Sequence, residues 1–429
     1  MMYLGFDIGK RHHDAALLDT DGIVVRQLRF PATRAGLTQL AAWLGGVAPA
    51  GVQIGLEATG IYWLTLHAWL QQWGTAQGGA PRIRVLNPLQ TRAFRNANMR
   101  GTKSDRADGV AIARLLRWEG DRLASHAVPD DRRAAAREIS RLRTEMTQLR
   151  SSQLTKLGTV LDALFPEFAA CFASLGSPSA LAVLARWATP AALAEARPSE
   201  LTRVLHAASR GHLGAVKARE LREAAVGSVG VSDPYGATAT AVQTLVAHLQ
   251  HLTTQIAHLA ERLDALQAGD ARTRALLATV PGFGVETVRT WLAELPPVTA
   301  YVEQARAESR ALPLGRKPKH GADKLVAAVG LDAQVKQSGR WIGQARMSKR
   351  GNRYVRRVVM LAAHTASPAD PQCRAIYDAQ RARGKHHTVA LSHVAHQLLH
   401  IAYSVLLHEK PYALPERFTT TPEAASAGA

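Results

Sequence analysis

The sequence predicts an α/β domain at the N-terminus, an α-helical region with long coiled-coil helices in the middle and a mainly α domain at the C-terminus. Three observations carry this. Residues 1–86 mix short apolar runs with helical spacing, residues 131–165 and 241–266 repeat apolar positions every three or four residues, and the last region opens on an apolar helix, a Pro281-Gly282-Phe283-Gly284 turn and a second helix. The boundaries fall at 1–125, 126–270 and 271–410, with a flexible tail over 411–429, and 429 residues are ample for two or three cores.

In order, Tyr3–Ile8, His13–Leu18 and Ile23–Phe30 are strands, the last two joined by Asp19-Thr20-Asp21-Gly22, whose Asp-Gly end favours a hairpin. Leu37, Leu40, Ala41 and Leu44 mark a helix over 35–44. Val52–Leu56 is a strand, Ile61–Trp73 an amphipathic helix and Ile83–Leu86 a strand ending at Asn87-Pro88. Three strands followed by alternating helices and strands is the order of a ribonuclease-H-like domain. Residues 89–103 carry Arg92, Arg95, Arg100 and Lys103 with few apolar residues, which suits a basic loop or loose helix able to close on phosphates. Ser104 is a good N-cap for a helix running through Ala111, Ile112, Leu115 and Leu116.

The acids fall at informative places. Asp7 ends the first apolar run before Gly9, and Glu57 ends the strand at 52–56 before Gly60; a carboxylate at a buried strand end needs a partner or a metal. Asp105 and Asp108, three apart in a first helical turn, share one face near the partial positive charge of the helix N-terminus. Such a pair alone is usually a cap. Four carboxylates from three elements, however, repel one another unless cations relieve them, and hard divalent cations with oxygen ligands do so. Magnesium and metal-assisted attack on phosphate follow as the expectation.

Residues 131–165 place Ile139, Leu142, Met146, Leu149 and Leu154 among polar residues, and 241–266 place Val242, Leu245, Leu249, Leu252, Ile256, Leu259, Leu263 and Leu266 at heptad-like spacing. The pattern fits pairing within the chain and a coiled-coil dimer equally. Residues 169–239 are Ala-rich short helices broken by Pro178, Pro190 and Pro198. Gly282 and Gly284 would let backbone N–H groups approach a phosphate, as in a helix-hairpin-helix, although an ordinary connection between two helices fits the turn equally. Tyr301–Lys324 is expected to be a polar insertion with a basic loop at Arg316, Lys317 and Lys319. Between Arg340 and Arg357 stand seven Lys or Arg and no acid. Arg340, Arg346, Lys349, Arg350, Arg353 and Arg356, with Trp341 and Tyr354 able to stack on bases, read as a nucleic-acid contact. Ser338 lies in a polar turn beside these arginines.

Lys plus Arg number 53 against 34 Asp plus Glu, giving a net charge of +19, a field that attracts polyanions. No signal peptide is visible and no apolar run of transmembrane length stands out, so a soluble, cytoplasmic protein is expected, nucleoid-associated when acting. Cys171 and Cys373 are too few for a disulfide framework or a structural zinc site and read as free thiols.

Taken together, Phe6-Asp7-Ile8-Gly9-Lys10, Leu56-Glu57-Ala58-Thr59-Gly60-Ile61-Tyr62, Lys103-Ser104-Asp105-Arg106-Ala107-Asp108, Val280-Pro281-Gly282-Phe283-Gly284, Ser338-Gly339 and Ser348-Lys349-Arg350-Gly351-Asn352 resemble the DEDD transposases of bacterial insertion sequences. These are RuvC-like recombinases related to Piv-type DNA invertases and guided by a bridge RNA from their own element. The resemblance runs over residues 1 to about 365 and implies a RuvC-like domain, a coiled-coil linker and a C-terminal transposase domain. It implies Asp7, Glu57, Asp105 and Asp108 as the metal-binding tetrad, two Mg²⁺ ions, and Ser338 as a nucleophile that forms a phosphoserine with DNA. Element-end and target DNA, the guide RNA and a homo-oligomer, dimer or tetramer, are the implied partners, with no membrane. Gly109 stands where the family usually has Ala, the segment near 297–321 is longer than usual, and Ser348 stays open as an alternative nucleophile. Two other readings also stay open: a structure-selective nuclease that uses activated water, and an inactive RNA-binding relative.

Overall fold

The computed structural model describes residues 1–58, 60–97, 105–120, 123, 130–311, 320–334, 337–338, 341–342 and 346–418, with backbone alone at 89, 97, 105–107, 310–311, 337–338 and 341–342. The chain divides into two compact units, Met1–Pro129 and Asp130–Ala429.

The first unit contains β1 (Met2–Ile8), β2 (His12–Leu18), β3 (Val24–Pro31), α1 (Arg34–Trp43), β4 (Val52–Glu57), α2 (Tyr62–Ala76), β5 (Arg82–Leu86), α3 (Pro88–Ala97) and α4 (Asp105–Glu119). The strands form one mixed sheet in the order β3-β2-β1-β4-β5, antiparallel among the first three and parallel from β1 through β4 to β5. The predicted hairpin between β2 and β3 turns on Gly22 at φ 86°, with the Asp19 carboxylate accepting from the N–H groups of Asp21 and Ile23. The basic stretch after β5 is helical from Pro88 to Ala97, and α4 begins at Asp105; its expected cap Ser104 lies outside the described residues.

Alternation along the strands sends successive side chains to opposite faces. Leu4, Phe6 and Ile8 of β1 pack with Ile54 and Leu56 of β4 against Leu40 and Leu44 from the α1 side and Leu66 and Leu70 of α2. On the other face, Ala16 and Leu18 of β2 pack with Ala113 of α4. Glycine sets how close α4 lies. Gly5 and Gly55 are neighbours in the β1–β4 register; a Cβ on Gly5 would fall 2.2 Å from the Gly109 carbonyl oxygen, and one on Gly55 would fall 2.8 Å from a Leu116 methyl group. The departure at Gly109 is thus a place where helix backbone meets strand backbone.

The second unit contains α5 (Asp131–Leu164), α6 (Pro178–Arg186), α7 (Pro190–Ala194), α8 (Pro198–Ala208), α9 (Ala215–Val226), α10 (Ala237–Leu266), α11 (Ala271–Leu277), α12 (Val285–Glu294), α13 (Val298–Ala311), α14 (Gly321–Val329), β6 (Ala333–Gln334), β7 (Gln337–Ser338), β8 (Trp341–Ile342), β9 (Arg346–Met347), α15 (Arg353–Ala369), α16 (Pro371–Ala382) and α17 (His387–His408). Leu157, Leu161 and Leu164 of α5 share a core with Val242, Leu245 and Leu249 of α10, while Ala136 and Ile139 meet Leu263 and Leu266 at the opposite ends. The heptad-spaced stripe of α10 is therefore covered by α5 of the same chain, running antiparallel to it. A second core gathers α11, α12, α14, α15 and α17.

Two expectations change. The segment from Tyr301, expected to be polar, begins as helix: α13 runs to Ala311, and Tyr301 is 3% exposed within the second core. Its polar residues ride on the outer face of a helix whose inner face is anchored by that tyrosine. Among the described residues, α17 is long and apolar enough to cross a membrane, although Val394, Ala395, Leu398, Leu399 and Ala402 bury its apolar side in the same core. Cys171 and Cys373 are free and buried, as expected.

Candidate active site

Asp7 and Glu57 sit on the sheet face that carries α4, at the ends of adjacent parallel strands. Asp108, in the first turn of α4, is brought to that edge by the glycine contacts beneath the helix. Asp108 and Glu57 both reach the Arg95 guanidinium, and Asp7 lies near enough to act on its charge. Asp108 lies 2.6 Å from an Arg95 nitrogen and Glu57 lies 3.9 Å from another. The Asp108 hydrogen bond holds the Arg95 guanidinium above its ordinary pKa, and the charges of Asp108, Glu57 and Asp7 act in the same direction. One helical turn earlier on α3, the Thr91 hydroxyl donates to Glu57 at 2.6 Å. Thr91 and Arg95, four residues apart on one face of α3, thus both fasten on the acids.

Asp105 precedes Asp108 by one turn of α4, and its side chain lies outside the described residues. Among the described residues, no three ligating side chains close into a metal cage; the carboxylates are gathered about Arg95 instead. A fifth acid went unnoticed in the sequence. Asp14 of β2 is paired directly with Asp7 in the antiparallel register and is buried, with Arg29 3.9 Å from its carboxylate. Its register position, on the same face as Asp7, was the available signal. Thr91 could have been found from its i,i+4 spacing to Arg95.

The basic residues separate into groups. Arg92 is exposed on α3, whereas Arg100, Lys103, Arg316, Lys317, Lys319 and Arg340 lie outside the described residues. Arg346, Lys349, Arg350 and Arg353 are exposed. Arg356 is instead turned inward, donating to the Val329 and Gly351 carbonyls, and burial lowers its pKa. Gly282, at φ 73°, is pressed against α15, where a Cβ would meet the Ala362 carbonyl oxygen at 2.3 Å. Gly284 caps α12 with open space around its Cα.

β6 pairs with β9 and, inside them in sequence, β7 pairs with β8, so that Ser338 stands opposite Trp341 with a two-residue connection between them. The side chains of both residues lie outside the described set. Ser348 is held in place: its backbone N–H donates to the Asp332 carbonyl at 2.9 Å, its hydroxyl donates to the Asp332 carboxylate, and it accepts weakly from the Arg350 N–H at 3.4 Å. Lys349 follows at φ 54°, left-handed backbone, with its N–H on the Gly330 carbonyl. Gly351 fits where a Cβ would strike the backbone at Ala328–Gly330. Asn352 then caps α15, accepting from the N–H groups of Tyr354 and Val355 while its amide donates to Glu294 at 2.7 Å. Glu294, fully buried at its side chain, also receives both Arg141 donors at 2.6 and 2.8 Å. This buried network fixes the loop at 348–352, and no residue spacing pairs Glu294 with it.

Comparison with known proteins matches two separate segments, the first reaching past the unit boundary through α5. Residues 4–166 match the DEDD transposase family model of the IS110 type, and residues 319–378 match the model described as the transposase IS116/IS110/IS902 family. Among curated relatives, the insertion element IS110 uncharacterized 43.6 kDa protein of Streptomyces coelicolor is 25% identical, covering 94% of each chain. The insertion element IS900 uncharacterized 42 kDa protein of Mycobacterium paratuberculosis is 24% identical over 98% of each. The mini-circle putative transposase for IS117, also from Streptomyces coelicolor, is 24% identical over 93% of this chain and 92% of the relative. The chain is accordingly a DNA transposase enzyme with IS110-type domains, of the insertion-sequence kind.

Proposed function

We propose that this transposase cuts and rejoins DNA strands by metal-assisted phosphoryl transfer, with a serine nucleophile. The observation that carries the reading is the convergence of Asp7, Glu57 and Asp108 on one face of the mixed sheet, about a single guanidinium. The strand order β3-β2-β1-β4-β5 is that of a ribonuclease-H-like domain and supports the RuvC-like assignment. Carboxylate oxygens are hard ligands, and the cluster already stabilises a cation, so divalent ions, Mg²⁺ foremost and two by the family resemblance, fit its chemistry. Asp7, Glu57, Asp108 and, by position, Asp105 would hold them; when bound, such ions stabilise negative charge on a phosphate and activate an oxygen nucleophile. Thr91 orients Glu57 through its hydroxyl, and Arg95 supplies positive charge beside the acids, where a phosphate would sit.

Ser338 is the proposed nucleophile: its hydroxyl oxygen attacks a strand phosphate, the 5′ or 3′ oxygen of the broken strand leaves with a proton, and the phosphoserine keeps the bond available for rejoining. Ser348 is the weaker candidate, because its hydroxyl and backbone are both spent in stapling residues 348–350 to Asp332. The tetrad and Ser338 belong to different compact units, and in a homo-oligomer a composite site would draw the two from different protomers. The exposed Arg346, Lys349, Arg350 and Arg353 would bind phosphates, while site choice by pairing with an element-encoded RNA rests on the family resemblance.

The test is covalent trapping of the protein with element-end DNA, its flanking RNA and Mg²⁺, followed by denaturation. An adduct in the parent that disappears in Ser338→Ala and Asp108→Ala, and survives in Ser348→Ala, is expected. Adduct retained in Ser338→Ala would move the nucleophile elsewhere, and cleavage with no adduct at all would favour a hydrolytic nuclease.

A further inference from the structure

On the sheet face opposite the carboxylates, a cavity of about 720 Å³ opens between α1 and α2. That volume is in the range of ligand pockets. Its floor is His13, 4% exposed and set edge-on against Phe30. Burial, with His12 adding repulsion, pushes the His13 imidazole below its ordinary pKa, so the floor is uncharged at neutral pH. The positive charge comes from the rim, where Lys10 and Arg34 stand, and no acid is among the described lining residues. Along one wall α2 presents Tyr62 and Trp69. Seven residues apart, they lie on one helical face about 10 Å from each other along the axis. Tyr62 is 38% exposed and the adjoining Ile61 72%, so apolar and aromatic surface is left open to the solvent.

Rings beside cations, with no carboxylate to repel an anion, are the chemistry that stacks a base while holding its phosphate. A lipid or an acidic peptide would use the cations but not the spaced rings. The groove also begins at the sheet end that carries Asp7, since Lys10 follows it by three residues. A strand leaving the carboxylates can therefore turn over the end of β1 into it. We infer that the groove between α1 and α2 is a docking site for one or two unpaired nucleotides of a strand handled by the enzyme. This rests on the nucleic-acid reading above and adds a second contact to it.

The experiment uses the full chain with fluorescein-labelled single-stranded DNA, single-stranded RNA of the same sequence and a blunt DNA duplex, read by anisotropy. The variants are Tyr62→Ala, Arg34→Glu and Lys10→Glu. Arg34 opens α1, where an acid suits the helix N-terminus, so this variant should fold. Single-strand affinity should fall about tenfold in each variant, the size of one lost base–aromatic stack or more, while duplex affinity holds. A 4-thiopyrimidine in the bound strand should cross-link to the α2 peptide carrying Tyr62 and Trp69. Loss confined to RNA or to DNA identifies which strand docks. Unchanged single-strand binding in all three variants overturns the groove alone, and so does a variant that shifts only the sedimentation of the protein, which would mark a subunit contact. A parent that binds no nucleic acid overturns the groove and the transposition reading together.

Discussion

Asp108 of α4 and Arg95 of α3 meet at 2.6 Å, and Arg95 reaches toward Glu57 from the same guanidinium. The arginine therefore shares a site with the acids that would hold metal. In Arg95→Ala the carboxylates lose that neutralising charge and should rely more on added cations. Thermal unfolding followed during Mg²⁺ titration should show a larger rise in Tm for the variant than for the parent, because ligand binding to the folded state stabilises it in proportion to occupancy. Equal shifts in both would mean that Arg95 and the metal do not compete for the same charge.

Gly5→Ala inserts a methyl group where only 2.2 Å separates the built Cβ from the Gly109 carbonyl oxygen. Backbone must move, since the obstacle is not a flexible side chain. A loss of about 1–3 kcal/mol in unfolding free energy is expected, with DNA cleavage reduced further than stability alone accounts for, because Asp108 rides on the displaced helix. Denaturant melts and cleavage rates below the melting range separate the two effects.

Glu294→Gln leaves Arg141 and Arg137 facing a neutral amide in a buried place. Because Arg141 is 42% exposed and an amide oxygen still accepts, the cost should be about 1–3 kcal/mol, and α15 should lose part of the anchor of its cap at Asn352. Chemical denaturation should report the loss. Arg141→Met in the same background should recover part of it.

Asp264 is held down to about 2 by hydrogen bonds from Arg289, with Arg274 assisting. Its folded value lies below its unfolded one of about 3.9, so its contribution is present above the unfolded value and is lost as pH falls through the range from about 5 to about 2. The carboxylate is 38% exposed, which limits the contribution to about 1 kcal/mol or less. Asp264→Asn should be slightly less stable than the parent at pH 7 and should show a flatter fall in Tm over that acid range.

Burial pushes the Cys373 thiol up to about 12 and raises Cys171 as well. Neither should react with a disulfide reagent at pH 8 in the native protein, and both should react quickly in denaturant. Rapid native labelling would place one of them at an open surface.

Much of the first unit was legible in the sequence because alternation and glycine punctuation are local. The ladder from Tyr3 to Leu86 and the strand-end positions of Asp7 and Glu57 follow from residue order alone. What could not be read was the use made of charges. Arg95 looked like one more phosphate-binding cation in a basic stretch, and only the packing of α3 turns it toward Asp108. Arg356 and Gly282 looked the same in a motif as their exposed neighbours, yet one is hydrogen-bonded inward and the other pressed against α15. Glu294 pairs with residues 153 and 58 positions away, a separation that no periodicity encodes. The covering of the α10 stripe by α5 likewise depends on which chain supplies the partner, and heptad spacing is the same in either case.

At the seat of α4, main chain rests on main chain: Gly5 meets the Gly109 carbonyl and the Ala113 nitrogen, and Gly109 in turn lies close to the carbonyls of Gly5 and Asp14. Side chains can be exchanged through neutral drift; a peptide backbone cannot. The spot where Asp108 stands is thus set by backbone contacts more than by the side chains around it, and replacements in the surrounding core leave it in place so long as Gly5 carries no Cβ.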